Sequence, residues 1–599
     1  MNAIQKWFED RTGIRTLIKF ALDEPVHGGA KWSYIFGSGL LFLFILQAVT
    51  GIVMASYYSP SATDAWGSVY YLQHKTSFGW FVRGIHHFGS SAMMILAIVH
   101  LFQVFIFGAY KKPRELNWIT GVVLLMVIAF FGLTGYLLPW DQKGFWATQV
   151  ATNIMGTLPV IGKYIKSIHL GGSDYGNFTI TRFFTLHVFL LPITLISFIF
   201  AHIALFRKHG VTPYWKMSEE TKHNRVDPFW PDQVFKDVVF AIGMYAALAG
   251  WVFWQGGAEL QAPADPASNY LARPEWYFLF LFQLLKYCQG PFLIVGTVIV
   301  PGLAIAFLFA LPFIDRSPSN WPSKRIPFFC AVFSGLAGAV VLTVLAMHHD
   351  SKDIHIIHQH EEAEIQAALA VKLAAKGVAP SGGLSIFEND PIILGKKVFM
   401  SNCRACHKVQ GEGGDTGPDF TDFGSRGWLT GLLKNPKDAR YFSNASLMPP
   451  VSQPDDTLLN MSEFLLSQSG NLLNPNGERV AKGQALVLNG NCVICHAIGD
   501  KELKMLGPNL TAYLSKGWLK EFIRNPAAPK FYGTRNKMPP FDKLTDKEMD
   551  ALIQYLQSLS KDRLVVSQKQ EDVKETRICF WTTQHKDVDR FWRQILSKG

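Results

Sequence analysis

Residues 83–102 read RGIHHFGSSAMMILAIVHLF and residues 181–210 read TRFFTLHVFLLPITLISFIFAHIALFRKHG. Each segment is apolar over a length that crosses a bilayer, and each carries histidines, which a lipid interior penalises unless they serve a function. His86 and His100 lie 14 positions apart, a net rotation of about −40° at about 100° per residue. His187 and His202 lie 15 apart, about +60°. Each helix therefore presents two imidazoles on nearly one face, separated along the axis by about 21 Å. His87 is 13 residues from His100, about 220° around the helix and close to the opposite face, so His86 is the better candidate. Two helices entering from the same side place His86 opposite His187 and His100 opposite His202. Paired neutral imidazoles suit two six-coordinate haem irons built for electron transfer. Four unrelated core histidines bonded to carbonyls are the competing reading, and matched spacing on two helices disfavours it.

The surrounding chain has a membrane composition up to about residue 347 and turns polar afterwards. Apolar stretches near 34–55, 80–107, 118–138, 183–206, 238–254, 292–314 and 327–347 predict seven spans. The apolar stretch 271–287 is interrupted by Arg273, Pro274, Glu275 and Lys286 and reads as a short helix at the surface. Basic residues gather before the first span and in alternate loops: Lys111, Lys112 and Arg114; Arg207, Lys208, Lys216, Lys222 and Arg225; Arg316, Lys324 and Arg325. This pattern predicts a cytoplasmic N-terminus and explains the net charge of +11 without nucleic acid. Residues 1–25 mix charge with Trp7, Phe8, Ile14, Leu17, Ile18 and Phe20 at helical spacing, and predict an amphipathic helix on the membrane surface rather than a cleaved signal.

An odd number of spans carries the polar C-terminal half to the opposite, periplasmic face of a bacterial inner membrane. There an internal repeat with a period near 90 residues appears. The first copy holds Cys403, Cys406 and His407, then GPDF, GWLTGLLKNP and Met448 in LMPP; the second holds Cys492, Cys495 and His496, then GPNL, GWLKEFIRNP and Met538 in KMPP. Each CxxCH supplies two thioether attachments and one axial imidazole for a covalent haem c, and the downstream methionine supplies the other axial ligand. Covalent haem attachment occurs on the outer face of energy-transducing membranes, in agreement with the span count. The remaining cysteines Cys288, Cys330 and Cys579 are isolated, so no disulfide framework is expected.

These residues, with KKPRELNWITG (111–121), GYLLPWDQKGFWATQVATNI (135–154) and ADPASNYLARPEWYF (264–278), resemble the cytochrome b subunit of Rieske/cytochrome b complexes of the bc1/b6f type. The repeats resemble class I cytochrome c domains. The resemblance implies that Gly37, Gly51, Gly121 and Gly135 let haems lie against the first and third spans, and that Arg83 and Arg114 neutralise haem propionates. It assigns Pro274, Glu275, Trp276 and Tyr277 to an outer quinol-oxidation site, where a carboxylate in a partly apolar pocket accepts a proton. Asp237 matches the carboxylate of an inner quinone-reduction site, although an acid there is also a common helix cap. Ile35 stands where b6-type relatives carry a cysteine for an extra haem, so no third membrane haem is expected.

The expected architecture is all-α: a seven-helix transmembrane cytochrome b bundle followed by two small cytochrome c domains. Its parts are a surface helix (1–32), a four-helix haem b bundle (33–210), a three-helix quinone-site portion (211–348), a linker (349–385), two c domains (386–471 and 472–560) and a basic tail (561–599). The linker histidines His349, His355, His358 and His360 read as solvated rather than metal-binding. The expected cofactors are two bis-histidine haem b and two His/Met haem c, with quinol and quinone as substrates. By resemblance the chain oxidises quinol outside and reduces quinone inside in a Q-cycle. The chain contains no Rieske motif, so the [2Fe–2S] protein is expected as a separate subunit of a homodimeric complex that draws on the quinone pool and passes electrons to a soluble cytochrome c or a terminal oxidase. A b/c module lacking a Rieske protein, or a membrane-anchored multihaem carrier, are the alternatives.

Overall fold

The computed structural model describes residues 3–217, 225–268, 270–442, 446–499 and 506–562; the basic tail beyond Asp562, with Cys579, and the loop residue Lys222 lie outside them. Among the described residues the fold is all-α, apart from two short antiparallel strand pairs. Seven helices have the length and apolarity to cross a membrane: α1 (Trp32–Ala55), α2 (Gly79–Phe107), α3 (Glu115–Leu137), α4 (Asn177–His209), α5 (Phe229–Gln255), α6 (Gly290–Ile314) and α7 (Ile326–Asp350). Their outward faces leave Ile45, Phe200 and Leu303 exposed, as expected of helices that meet lipid rather than water.

Local chemistry sets the details between and within the spans. The N-terminal segment is two helices, Ala3–Thr12 and Ile14–Leu22, rather than one, because Gly13 adopts φ 59° and ends the first. Pro25–His27 (β1) then pairs with Val226–Pro228 (β2) and fastens this segment to the loop between α4 and α5. Within α4, residues Leu186–Leu190 form a π-turn, and the Leu191 N–H reaches back five residues to the Leu186 carbonyl. Pro192 follows immediately and has no N–H of its own to give. The turn takes one residue out of the regular ladder. The 15-residue interval from His187 to His202 therefore behaves as 14, and both imidazoles stay on one face as they do on α2.

Asp315, at the end of α6, is fully buried and accepts from the Tyr110 hydroxyl, Lys111 Nζ (3.0 Å) and Arg325 Nε (3.0 Å). Burial alone raises a carboxyl pKa, but these donors outweigh it and hold Asp315 below the ordinary range. The cluster ties the α2–α3 loop to α6 and α7.

The chain divides into two compact units at Leu384/Ser385. Most of the segment expected as a linker belongs to the first. Asp353 caps a helix, α8 (Ile354–Ala374), by accepting from the His355 N–H, so the His-rich stretch is helical as well as the part from Glu361 onward. Among the described residues no group of three or more His, Cys, Asp or Glu is gathered to hold a metal ion.

The second unit contains both CxxCH repeats around one hydrophobic core. Its main helices are α9 (Pro391–Asn402), α10 (Arg426–Lys434), α11 (Asp455–Ser467), α12 (Gly477–Leu488), α13 (Lys516–Arg524) and α14 (Asp546–Ser558). The first helix of repeat one, α9, packs on the last helix of repeat two, α14, while α11 packs on α12. At each crossing a glycine allows backbone contact: Gly395 faces the Ala551 carbonyl, and Gly483 faces the Asn460 carbonyl. The terminal helices are thus exchanged between the repeats, as in an intramolecular domain swap. Arg426 locks the arrangement by a fork to Glu463 (2.7 and 3.0 Å) and an ion pair with Asp562 at 3.0 Å. Leu394, Val398 and Phe399 of repeat one lie in a core completed by Met549, Leu552 and Leu556 of repeat two. Each such side chain contributes about 1.5–3 kcal/mol when fully buried. A fragment spanning 386–471 should consequently show no cooperative thermal transition by circular dichroism, whereas 386–562 should melt as one unit.

Candidate functional site

The four intramembrane histidines fall on two levels. At the first, the His86 and His187 rings face each other with centroids 6.3 Å apart and planes at 64°. This is the separation that two metal–nitrogen bonds of about 2 Å, added to the two ring radii, require. His87 instead packs edge-on against Phe88 at 4.9 Å. At the second level, His202 lies within electrostatic reach of His100.

A glycine on α1 or α3 faces each imidazole. A Cβ at Gly51 would lie 3.2 Å from His86 Cε1, one at Gly135 2.6 Å from His187 Cε1, one at Gly37 3.5 Å from His100 Cε1 and one at Gly121 3.3 Å from His202 Cε1. Gly37 and Gly51, like Gly121 and Gly135, are 14 residues apart, about 21 Å along their helices. Two inward-facing nitrogen donors with small-residue walls form a cradle that fits a planar macrocycle bound through its metal.

Each level also carries a carboxylate. At the first, the loop 271–278 turns into the helix Leu279–Tyr287 through a short 3₁₀ turn at Trp276–Phe278. Trp276 Nε1 donates to Ser91 Oγ at 3.4 Å, and the Tyr277 hydroxyl lies against Gly132, three residues before Gly135. Burial, reinforced by the Glu275 charge, pushes the Tyr277 phenol above its ordinary pKa and keeps it protonated. Pro274 stands directly before Glu275. Glu275 Oε1 is buried without a hydrogen-bond partner, and its nearest cation is Lys143 Nζ at 3.7 Å. At the second level, Asp237 accepts from Gln233 Nε2 at 2.9 Å and bonds Ser38, the neighbour of Gly37.

Several of these partners were not singled out from the sequence. Lys143 is one. Another is the clamp on the loop that holds Glu275: Arg273 makes a two-pronged ion pair with Asp350 (2.8 and 3.1 Å), and Gln359 pairs with both the N–H and the carbonyl of Leu271. Their signals in the sequence were single polar residues scattered over 217 positions, from Lys143 to Gln359, with nothing to join them.

Arg83 and Arg114, expected by resemblance to neutralise haem propionates, donate to groups of the chain itself. Arg83 donates to Gln73 and to the Ala258 and Glu259 carbonyls (2.9 and 2.7 Å). Arg114 donates to the His209 and Gly210 carbonyls (2.6 and 3.3 Å), which the C-terminal end of a helix leaves unpaired. Both guanidinium groups thus spend donors on backbone oxygens.

In the second unit, His407 and His496 donate their Nδ1–H to the Pro418 and Pro508 carbonyls at 2.9 and 2.8 Å. Burial lowers both pKa values, so the imidazoles are neutral at pH 7 with Nε2 available to a metal. His407 stacks on Phe420 at 4.3 Å. Cys403, Cys492, Met448 and Met538 all border the shared core, and Cys406 and Cys495 complete the two CxxCH motifs. This donor set fits two covalently held haems.

The helical architecture and these donors define the class: a multi-pass membrane cytochrome of the b type with c-type cytochrome domains attached. Residues 22–210 match the family model described as cytochrome b/b6/petB, residues 263–363 the cytochrome b (C-terminal)/b6/petD model, and residues 392–463 and 480–560 the cytochrome c model. The chain is 36% identical over 351 residues to the cytochrome bc complex cytochrome b subunit of Chlorobaculum thiosulfatiphilum, covering 57% of this chain and 79% of that one. It is 39% identical over 212 residues to cytochrome b6 of Synechococcus elongatus, covering 35% and 99%. A solved chain of a hyperthermophilic respiratory Complex III superposes with a TM-score of 0.52 at 27% identity, over 64% of this chain and 99% of that one. The chain belongs to the cytochrome b/b6 family and is a cytochrome b-type subunit of a bc-type complex fused to cytochrome c domains, which imply haem b and haem c.

The Lys143–Glu275 pair is half-buried, and such a pair contributes about 1 kcal/mol. Lys143→Met should therefore lower the electron-transfer activity of the purified complex about five-fold with haem b content unchanged, and Lys143→Arg should restore most of it.

Proposed function

We propose that this chain is the haem-bearing subunit of a quinol:cytochrome c oxidoreductase that oxidises quinol at an outer site and reduces quinone at an inner site by a Q-cycle. The observation that carries the reading is the stacking of two imidazole pairs between two carboxylates, Glu275 beside the His86/His187 level and Asp237 beside the His100/His202 level.

His86 and His187 would hold one haem b and His100 and His202 the other; His407 with Met448 and His496 with Met538 would hold two haem c. When bound, these groups supply one-electron acceptors along two branches, one across the membrane and one outward. The protein residues bind the quinol and move its protons. Glu275 Oε1, which has no hydrogen-bond partner, accepts the proton of a quinol hydroxyl, and Lys143 balances the carboxylate charge before that transfer. Trp276 and Tyr277 wall the site, and Pro274 fixes the turn that aims Glu275 inward. At the inner site Asp237 delivers a proton to reduced quinone.

The basic loops support a cytoplasmic N-terminus, with the c unit on the periplasmic face of a bacterial inner membrane. The high-potential electron needs a first acceptor that this sequence lacks, which makes a Rieske [2Fe–2S] protein the expected partner. The c unit would pass electrons to a soluble cytochrome c or a terminal oxidase, in a complex expected to be homodimeric.

Two substitutions test the reading. Glu275→Gln should reduce quinol-dependent cytochrome c reduction by about 10²–10⁴-fold while a pyridine haemochrome assay still returns two b and two c haems per chain. His187→Ala should remove one b haem and keep both c haems; two retained b haems would refute the ligand assignment.

A further inference from the structure

Each imidazole at the two levels has a second ring nitrogen, and the structure accounts for all four. His86 Nδ1 lies 3.0 Å from Thr50 Oγ1, His187 Nδ1 3.0 Å from Thr134 Oγ1 and His202 Nδ1 2.9 Å from Thr120 Oγ1. Each of these threonines immediately precedes the glycine that faces the same ring: Thr50–Gly51, Thr120–Gly121 and Thr134–Gly135 are the Thr-Gly dipeptides of the seven spans. The fourth glycine, Gly37, follows Phe36. There Gln103, one turn along α2, takes the threonine's place, with Oε1 3.1 Å from His100 Nδ1.

The direction of these bonds is fixed by where the other protons go. The Thr50 hydroxyl donates to the Leu46 carbonyl (2.7 Å), Thr134 to Phe130 (3.0 Å) and Thr120 to Asn117 (2.8 Å). A hydroxyl has a single proton, so in each case the oxygen offers only a lone pair to the ring. The Gln103 amide donates to the Ser33 carbonyl, and its oxygen likewise only accepts. All four imidazoles must then carry their proton on Nδ1 and present a bare Nε2 inward. Threonines that merely bond back to their own helix are common in membranes; here the same oxygen also meets an imidazole at each of the three dipeptides.

Building on the haem b assignment above, we propose that Thr50, Thr134, Thr120 and Gln103 are positioning residues that lock the tautomer of the four axial imidazoles and set the potentials of the two b haems. An acceptor on Nδ1–H gives the ring partial imidazolate character, strengthens its donation to iron and favours the oxidised state. Removing the acceptor raises the potential. The dipeptide unites two functions in adjacent residues, with glycine clearing space for the ring and threonine orienting it.

The test is an optical redox titration of the purified full-length chain carrying Thr50→Val, Thr134→Val or Thr120→Val, each paired with the Ser variant. Thr50→Val and Thr134→Val should both shift the same haem b upward and leave the other in place, while Thr120→Val should shift only the second; the Ser variants should match the unmodified protein. Loss of one b haem in a Val variant with retention in its Ser counterpart also supports the proposal. Full b haem content with unchanged potentials in all three Val variants overturns it, as does equal haem loss in Val and Ser. Absence of b haem from the unmodified chain would instead overturn the haem assignment itself.

Discussion

An imidazole in a bilayer must find a partner for each of its two nitrogens, and the membrane half of this protein is organised around that demand at four of them. One nitrogen of each ring is bonded to a hydroxyl or amide oxygen on a span. The other is left without a proton, and at the first level the two rings stand 6.3 Å apart. The bilayer offers no water to make up a deficit, so α1 to α4 must meet in a register that brings these groups together at both levels at once. Helices α1 and α3 repeat their glycines at 14 residues, α2 repeats its histidines at 14, and α4 reaches the same interval only through its π-turn. A shift of one helix by a single residue would disturb both levels, because the two are fixed to the same rods.

This constraint explains what could be read from the sequence. Histidine is rare in spans, so four of them at matched intervals stand out as candidate ligand pairs, and the choice of His86 over His87 follows from rotation alone. The glycines and the PEWY stretch could be assigned only through resemblance. The one-residue mismatch between α2 and α4 was visible as a difference between −40° and +60°, but its remedy was not, since a π-turn depends on how Pro192 and its neighbours share carbonyls. The break at Gly13 was legible in principle, as was the Thr-Gly dipeptide; neither carries meaning until the partner across the helix is known. The start of α8 at Ile354 escaped a composition-based reading because its histidines and acids resemble a solvated segment, whereas Asp353 and the packing of the helix on Ala65–Lys75 make it ordered.

The c repeats show a different limit. The motifs recur in register in the sequence, and Ser425 and Ser515 cap equivalent helices by the same bond to Trp428 and Trp518. Nothing in a repeat states which copy of its complementary helix it will meet. With two near-identical crossings built from Gly395 and Gly483, either pairing satisfies the local chemistry, and the nine-residue connection from α11 to α12 favours packing those two neighbours together. Once α12 occupies α11, α9 is left with α14. The consequence is that both CxxCH segments depend on one core and one Arg426 clasp, so their geometry relative to each other is set by packing rather than by a flexible connection.

The outer carboxylate is governed by a similar economy of attachment. Glu275 sits on a loop, and loops move more than the elements they join. Here the residues ahead of it are held from the far end of the membrane unit: Asp350 closes α7 and grips Arg273, Lys286 lies 3.7 Å from the same carboxylate, and Gln359 on α8 pairs with Leu271 as a strand neighbour would. These contacts come from the stretch that leads out of the last span. A segment that composition suggests is a connector thus supplies the support that keeps Glu275 aimed beside Lys143, and its sequence is constrained by the loop it holds as much as by the distance it must bridge.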